Sequence, residues 1–154
     1  MGFDVDKFEQ TELVPRQKAI SVPALSAFFD EEEKPEWVVC GLTASQIHKA
    51  TSAEASRSVQ AKILKAAAEF SGDPESILKE LQDKEETPGE IAKRMEMLVA
   101  GSVAPKIELR VAVKLAKTFP IEFMHLTNEI TGLTGMGFDM VKPEAASQET
   151  TSSS

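Results

Sequence analysis

The apolar residues of this chain recur mostly at spacings of three and four, the pattern of helices that pack through one face. Val59, Ile63, Leu64, Ala67 and Phe70 form one such stripe; Ile77, Leu78 and Leu81 form a second; Ile91, Met95, Leu98 and Val99 form a third. Phe123, Leu126, Ile130 and Leu133 follow at steps of three, four and three. Residues Lys106 to Thr118 carry Ile107, Leu109, Val111, Val113, Leu115 and Ala116 and also read as helix. Local chemistry marks where these helices start. Thr43 and Gln46 form a capping box that opens a long helix to about Phe70, stopped by Gly72. Asp73-Pro74 opens the next, and Thr87-Pro88-Gly89-Glu90 combines a cap, a proline at the first helical position and a glutamate that can reach back. Pro120 ends one helix and starts another, because it lacks an amide donor and restricts the residue before it.

Two segments read as strands. Lys18 to Val22 is one; Glu36 to Leu42, built on Trp37-Val38-Val39-Cys40 between Pro35 and Gly41, is the other. Pro23 to Phe29, between them, reads as one or two helical turns. Such a strand pair is not stable alone and must pack on the helices. The predicted architecture is mainly α, a bundle of about five helices in a single domain over residues 18–135 with a short hairpin-like β element at 18–42. Residues 1–17 are expected to be flexible. Residues 136–154, ending in Gln148-Glu149-Thr150-Thr151-Ser152-Ser153-Ser154, carry too little apolar surface to order themselves and are expected to be disordered.

Composition changes the picture little. The 154 residues are 42% hydrophobic and 27% charged, enough to bury a core without a metal or disulfide. Charge changes it more. The net charge is -8, and residues 1–40 hold nine acids against four bases while residues 41–135 hold thirteen against twelve. The excess therefore sits near the start, in Asp30-Glu31-Glu32-Glu33, which reads as a solvated loop or an acidic docking site. Duplex DNA binding is disfavoured, since it needs clustered Lys and Arg, and no nucleic-acid partner is expected. Cys40 is the single cysteine, so a reducing compartment is the simpler fit. No apolar run is long enough to span a bilayer, and Met1-Gly2-Phe3-Asp4 lacks the features of a signal peptide. A cytoplasmic protein with no membrane partner is expected.

No residue constellation suggests catalysis, and no cofactor or metal motif is present. His48 and His125 fall on different helices without a ligand partner at metal spacing. Cys40 sits in an apolar strand, where an inert thiol is expected. Gly132, Gly135 and Gly137 follow a helix rather than a strand, so they do not make a phosphate loop. An apolar surplus is left over. Met95, Met97, Phe119, Ile121, Phe123 and Met124 crowd around one helix and the Pro120 break, either as core or as an adaptable surface for a partner segment. Ala44 to Ser58, small and polar, reads as an oligomer contact or as an exposed helix with weak packing.

Three segments taken together resemble a known family. They are Glu36-Trp37-Val38-Val39-Cys40-Gly41-Leu42-Thr43, then Ile91-Ala92-Lys93-Arg94-Met95-Glu96-Met97-Leu98-Val99-Ala100-Gly101-Ser102-Val103, and Phe119-Pro120-Ile121-Glu122-Phe123-Met124-His125-Leu126-Thr127. They look like the tail assembly chaperones of long-tailed bacteriophages with non-contractile tails, over roughly residues 18 to 135. The likeness is one of pattern and order, with no catalytic signature to transfer. It implies a small acidic helical protein, made in the host cytoplasm during infection and absent from the mature virion. Its implied partner is the tape measure protein, whose apolar helices it would keep soluble. A ribosomal frameshift near the gene's end would add a domain that recruits the tail tube protein. The remaining expectation from the sequence is a structural virion component, such as a head-tail connector or minor tail protein.

Overall fold

Most of the apolar stripes become helices, and one helix forms the hub for the others. The structure, a computed structural model, describes residues 2–71 and 88–141. Among the described residues the order is α1 (Val5–Gln10), β1 (Leu13–Val14), β2 (Gln17–Ser21), a 3-10 helix (Pro23–Phe28), β3 (Glu36–Cys40), α2 (Ala44–Ala55) and α3 (Arg57–Ser71). There follow α4 (Pro88–Gly101), β4 (Ser102–Ala104), α5 (Leu109–Thr118), α6 (Pro120–Met136) and β5 (Asp139–Met140). The molecule is mostly helical with a small β component. The expected helix at Asp73-Pro74 and the Thr87 cap fall outside the described residues.

Helix α4 packs against α2, α3, α5 and α6. Its inward face is the predicted stripe displaced toward small residues: Ala92 and Leu98 are wholly buried and Met95 nearly so. Helix α6 meets it with Phe123, Leu126, Ile130 and Leu133, all four buried at the predicted spacing. The close approach of these helices depends on Gly101. A Cβ there would lie 2.7, 2.9 and 3.0 Å from three side-chain atoms of Ile130. Ile130 is fully buried and β-branched, so its rotamer has little freedom to yield. Gly101→Ala is therefore expected to destabilise the fold by about 1–3 kcal/mol, measured as a lower urea midpoint. Ile130→Val, made in that background, should recover part of the loss by removing Cδ1.

The long helix expected from Thr43 to about Phe70 is two helices. The Thr43–Gln46 capping box forms as read, with Thr43 Oγ1 accepting from the Gln46 amide and Gln46 Oε1 accepting from the Thr43 amide. The helix then stops at Ser56, whose backbone is extended and whose Oγ accepts from the Val59 amide, capping α3. The break falls where the α4 amino terminus meets α2. A Cβ on Gly89 would run into the Glu54 carbonyl oxygen. Ending α2 here lets it lie along α4 while α3 turns to pack on α5. The small residues of α2 are thereby used: Ala50 and Ala53 are buried.

The β component is larger than the expected strand pair. β2 and β3 pair antiparallel, Ala19 opposite Val38 and Ile20 opposite Trp37. A third strand, β4, then adds to β3 across a bulge at Val38 and Val39. It occupies the end of what the sequence presents as one helix from Ile91 to Val103. The change is tied down by side chains: Trp37 Nε1 donates to Ser102 Oγ at 3.0 Å, and Ser102 Oγ donates to the Leu98 carbonyl at 2.6 Å. The sheet docks on α6, where Thr134 Oγ1 accepts from the Leu42 amide at 3.0 Å.

Both terminal segments contain short elements, while residues 142–154 of the expected tail lie outside the described residues. Residues 1–17, expected to be flexible, contain α1, capped by Asp4, and β1. Residues 139–140, expected to belong to a disordered tail, form β5 and pair antiparallel with β1. The Val141 amide donates to the Glu12 carbonyl, and Arg16 pairs with Asp139 at 3.6 Å. Backbone pairing thus joins two segments from opposite ends of the described chain.

Candidate functional site

The apolar residues that α5 cannot bury define the site. Leu109, Val111, Val113 and Leu115 alternate along a helix, so they cannot all face one side. Val113 and Leu115 go inward, and Val111 is left 45% exposed. Beside it the 3-10 helix leaves Phe28 76% exposed. That helix is short and buries only Leu25. Phe28 instead meets Phe119 edge-on, with ring centroids 6.4 Å apart. These residues line a groove of about 760 Å³ formed by the 25–37 and 104–119 segments. Its apolar lining includes Leu25, Phe28, Phe29, Trp37, Ile107, Val111, Leu115 and Phe119.

The groove is charged along its margins. Asp30 and Glu33 come from the segment between the 3-10 helix and β3, Glu36 from the first position of β3, Lys106 from the turn before α5 and Lys114 from the middle of α5. A hydrogen bond involving Asp30, and then repulsion from its carboxylate, raise the pKa of Glu33 above the ordinary carboxylate value. The acidic margin thus crowds negative charge where a cationic group would relieve it.

The six residues that the sequence singles out do not form one surface. Met95 and Phe123 are core, 4% and 3% exposed, and are corrected as partner-facing candidates. Both lie on the stripe that faces another helix, and core packing claims them. Met124 is half-buried against that core. Met97 is half-buried in a separate cavity of about 320 Å³ between α2, α4 and α6. Ile121 is 74% exposed and is not part of the groove lining. Phe119 alone reaches the groove. The sequence reading missed Phe28, Trp37, Ile107 and Val111 as its companions, although the alternating apolar residues of α5 held a usable signal.

Comparisons with protein-family models, with curated proteins and with solved structures find no match. The groove must therefore be interpreted through its own chemistry. It offers apolar area and charged margins. Among the described residues no group of three or more His, Cys, Asp or Glu is placed to hold a metal ion. No helix among them is long and apolar enough to cross a membrane. Cys40 is half-buried in β3, and burial raises its thiol pKa. The thiolate fraction at pH 8 is accordingly lower than for a free cysteine. Alkylation of the native protein at that pH should be slower than alkylation of the same protein unfolded in urea, a difference read by mass spectrometry over time.

Proposed function

We propose that this protein is an assembly chaperone that holds an apolar helical segment of a long partner protein. Within the resemblance drawn from the sequence, it is a bacteriophage tail assembly chaperone and its client is the tape measure protein. The observation that carries the reading is the exposed apolar groove around Phe28, Val111 and Phe119 on an acidic protein. A monomeric soluble protein has little reason to leave such a patch uncovered unless something binds there. Adaptable apolar grooves accept amphipathic helices through anchors on one face. Net negative charge limits self-association and contact with nucleic acid while the client is held.

On this reading the protein catalyses no reaction and uses no cofactor. It acts in the host cytoplasm during infection and leaves before the virion is complete. A frameshifted longer product would add the part that recruits the tail tube protein. The test is co-expression of the tagged chain with the product of the gene immediately downstream. Recovery of a long helical protein that is soluble only in the chain's presence is the expected result. A downstream product that stays insoluble and unbound, together with this chain in stoichiometric amounts in purified particles, would move the assignment to a structural virion component.

A further inference from the structure

The two segments that build the groove carry opposite charge. The 30–36 segment supplies Asp30, Glu33 and Glu36, and the 106–114 segment supplies Lys106 and Lys114. Between them the lining is apolar and includes Trp37, Ile107 and Phe119. An occupant that satisfies all three parts has an apolar stripe, a basic flank on one side of it and an acidic flank on the other. An amphipathic helix supplies that arrangement, because residues at i, i+3, i+4 and i+7 form the stripe and their neighbours form the two flanks.

We propose that the groove takes an amphipathic helix of a partner protein in one direction, with its Lys/Arg flank against the 30–36 margin and its Asp/Glu flank against Lys106 and Lys114. The proposal rests on the reading of the groove as the client site and adds the rule by which a client segment is chosen. Reversing such a helix end for end exchanges its flanks, so charge separated across the stripe also sets its direction. Like charges brought together oppose the wrong setting, which makes the margins a selectivity device. The crowding of Asp30 and Glu33 favours a cationic flank on that side.

A second copy of this chain is a poorer occupant on the same grounds. Among the described residues it exposes an apolar patch at α1, where Val5 and Phe8, with Phe3 just before the helix, are all more than half exposed. That segment carries Asp4, Asp6 and Glu9 against Lys7, and the whole chain carries a net charge of -8. Neither complements the acidic margin.

The test uses the full chain and two synthetic helical peptides of about five turns. Both have the same apolar stripe and the same composition. One carries Lys on one flank and Glu on the other; the second has the same charges mixed between flanks. The separated peptide is expected to bind about tenfold or more tightly than the mixed one by titration calorimetry, and the advantage should shrink as salt rises. Asp30→Lys combined with Glu33→Lys, both at exposed positions, should abolish that preference without unfolding the protein. Equal affinities for the two peptides, or an unchanged preference in the reversed variant, would overturn the proposal. So would a sedimenting dimer that either peptide dissociates equally, which would assign the groove to a second copy. Equal peptide affinities alongside a client solubilised in co-expression would remove the charge rule and leave the chaperone reading. A clear preference without client solubilisation would support the charge rule and remove that reading.

Discussion

Trp37→Ala is expected to destabilise the protein by about 3–5 kcal/mol, a large share of the 5–15 kcal/mol typical of a domain. Trp37 is 5% exposed, and it stands where the sheet meets the rest of the molecule. Its ring belongs to the main apolar core, and its edge is fixed by the bond from Nε1 to Ser102 Oγ. Truncation to alanine removes both, and it also removes part of the groove lining. Two milder variants separate the contributions. Trp37→Phe keeps most of the packing and loses the indole donor. Ser102→Ala leaves that buried donor without its acceptor and should cost about 1–3 kcal/mol. The double variant Trp37→Phe/Ser102→Ala should cost less than the two single changes added together, because they share one interaction. Urea unfolding followed by far-UV circular dichroism measures all four, since loss of the single tryptophan removes the fluorescence signal. If Trp37→Ala unfolded within about 1 kcal/mol of the parent, the sheet would not belong to the cooperative core.

The largest functional effect is expected from Phe28→Ser combined with Val111→Ser. Both side chains are substantially exposed, so each change should alter stability by no more than about 0.5 kcal/mol. Both line the groove, and together they supply an aromatic and an aliphatic anchor without touching its charged margins. Client binding should fall about tenfold or more, the loss typical of removing a central apolar anchor. The informative comparison is Ile121→Ser. Ile121 is as exposed as Phe28 and equally apolar, but it is not among the groove residues. It should leave client binding unchanged. Pull-down of the client and its soluble fraction in co-expression measure each variant. Loss of binding with Ile121→Ser, and retention with the groove pair, would transfer the client surface to the first turn of α6.

These outcomes bear on how much of the molecule is legible in the linear chain. The class is legible, because helix periodicity and caps are local: the Thr43–Gln46 box, the start at Pro120 and the buried stripe of α6 all form as read. Strands β2 and β3 are legible for the same reason, each being five residues long, and β3 also shows β-branched and aromatic enrichment. The Ser56 break is only half legible. A change of composition marks its neighbourhood, but the stop itself meets the amino terminus of α4, where Gly89 faces Glu54.

The site is less legible than the fold. Phe119 was singled out for the apolar surplus around Pro120, but Met95 and Phe123 share that surplus and are buried. Periodicity identifies a face; it does not say whether another element covers it. That depends on where the other elements go.

The sequence by itself determined the mainly helical class, the starts of α2, α4 and α6, two of the strands and the acidic character of the first forty residues. Each follows from forces that act within a few residues: capping, side-chain periodicity, backbone restriction and charge. The tertiary structure alone decided β4, the pairing of β1 with β5, the packing of Gly101 on Ile130 and the groove. Strands of two or three residues carry no period to detect, and become strands only when distant backbone arrives to accept their hydrogen bonds. Leu13 waits for Met140, and Ser102 for Val39. The groove follows the same logic, since the two segments that supply its apolar residues and its two signs of charge lie more than sixty residues apart in the chain and meet only in the folded molecule.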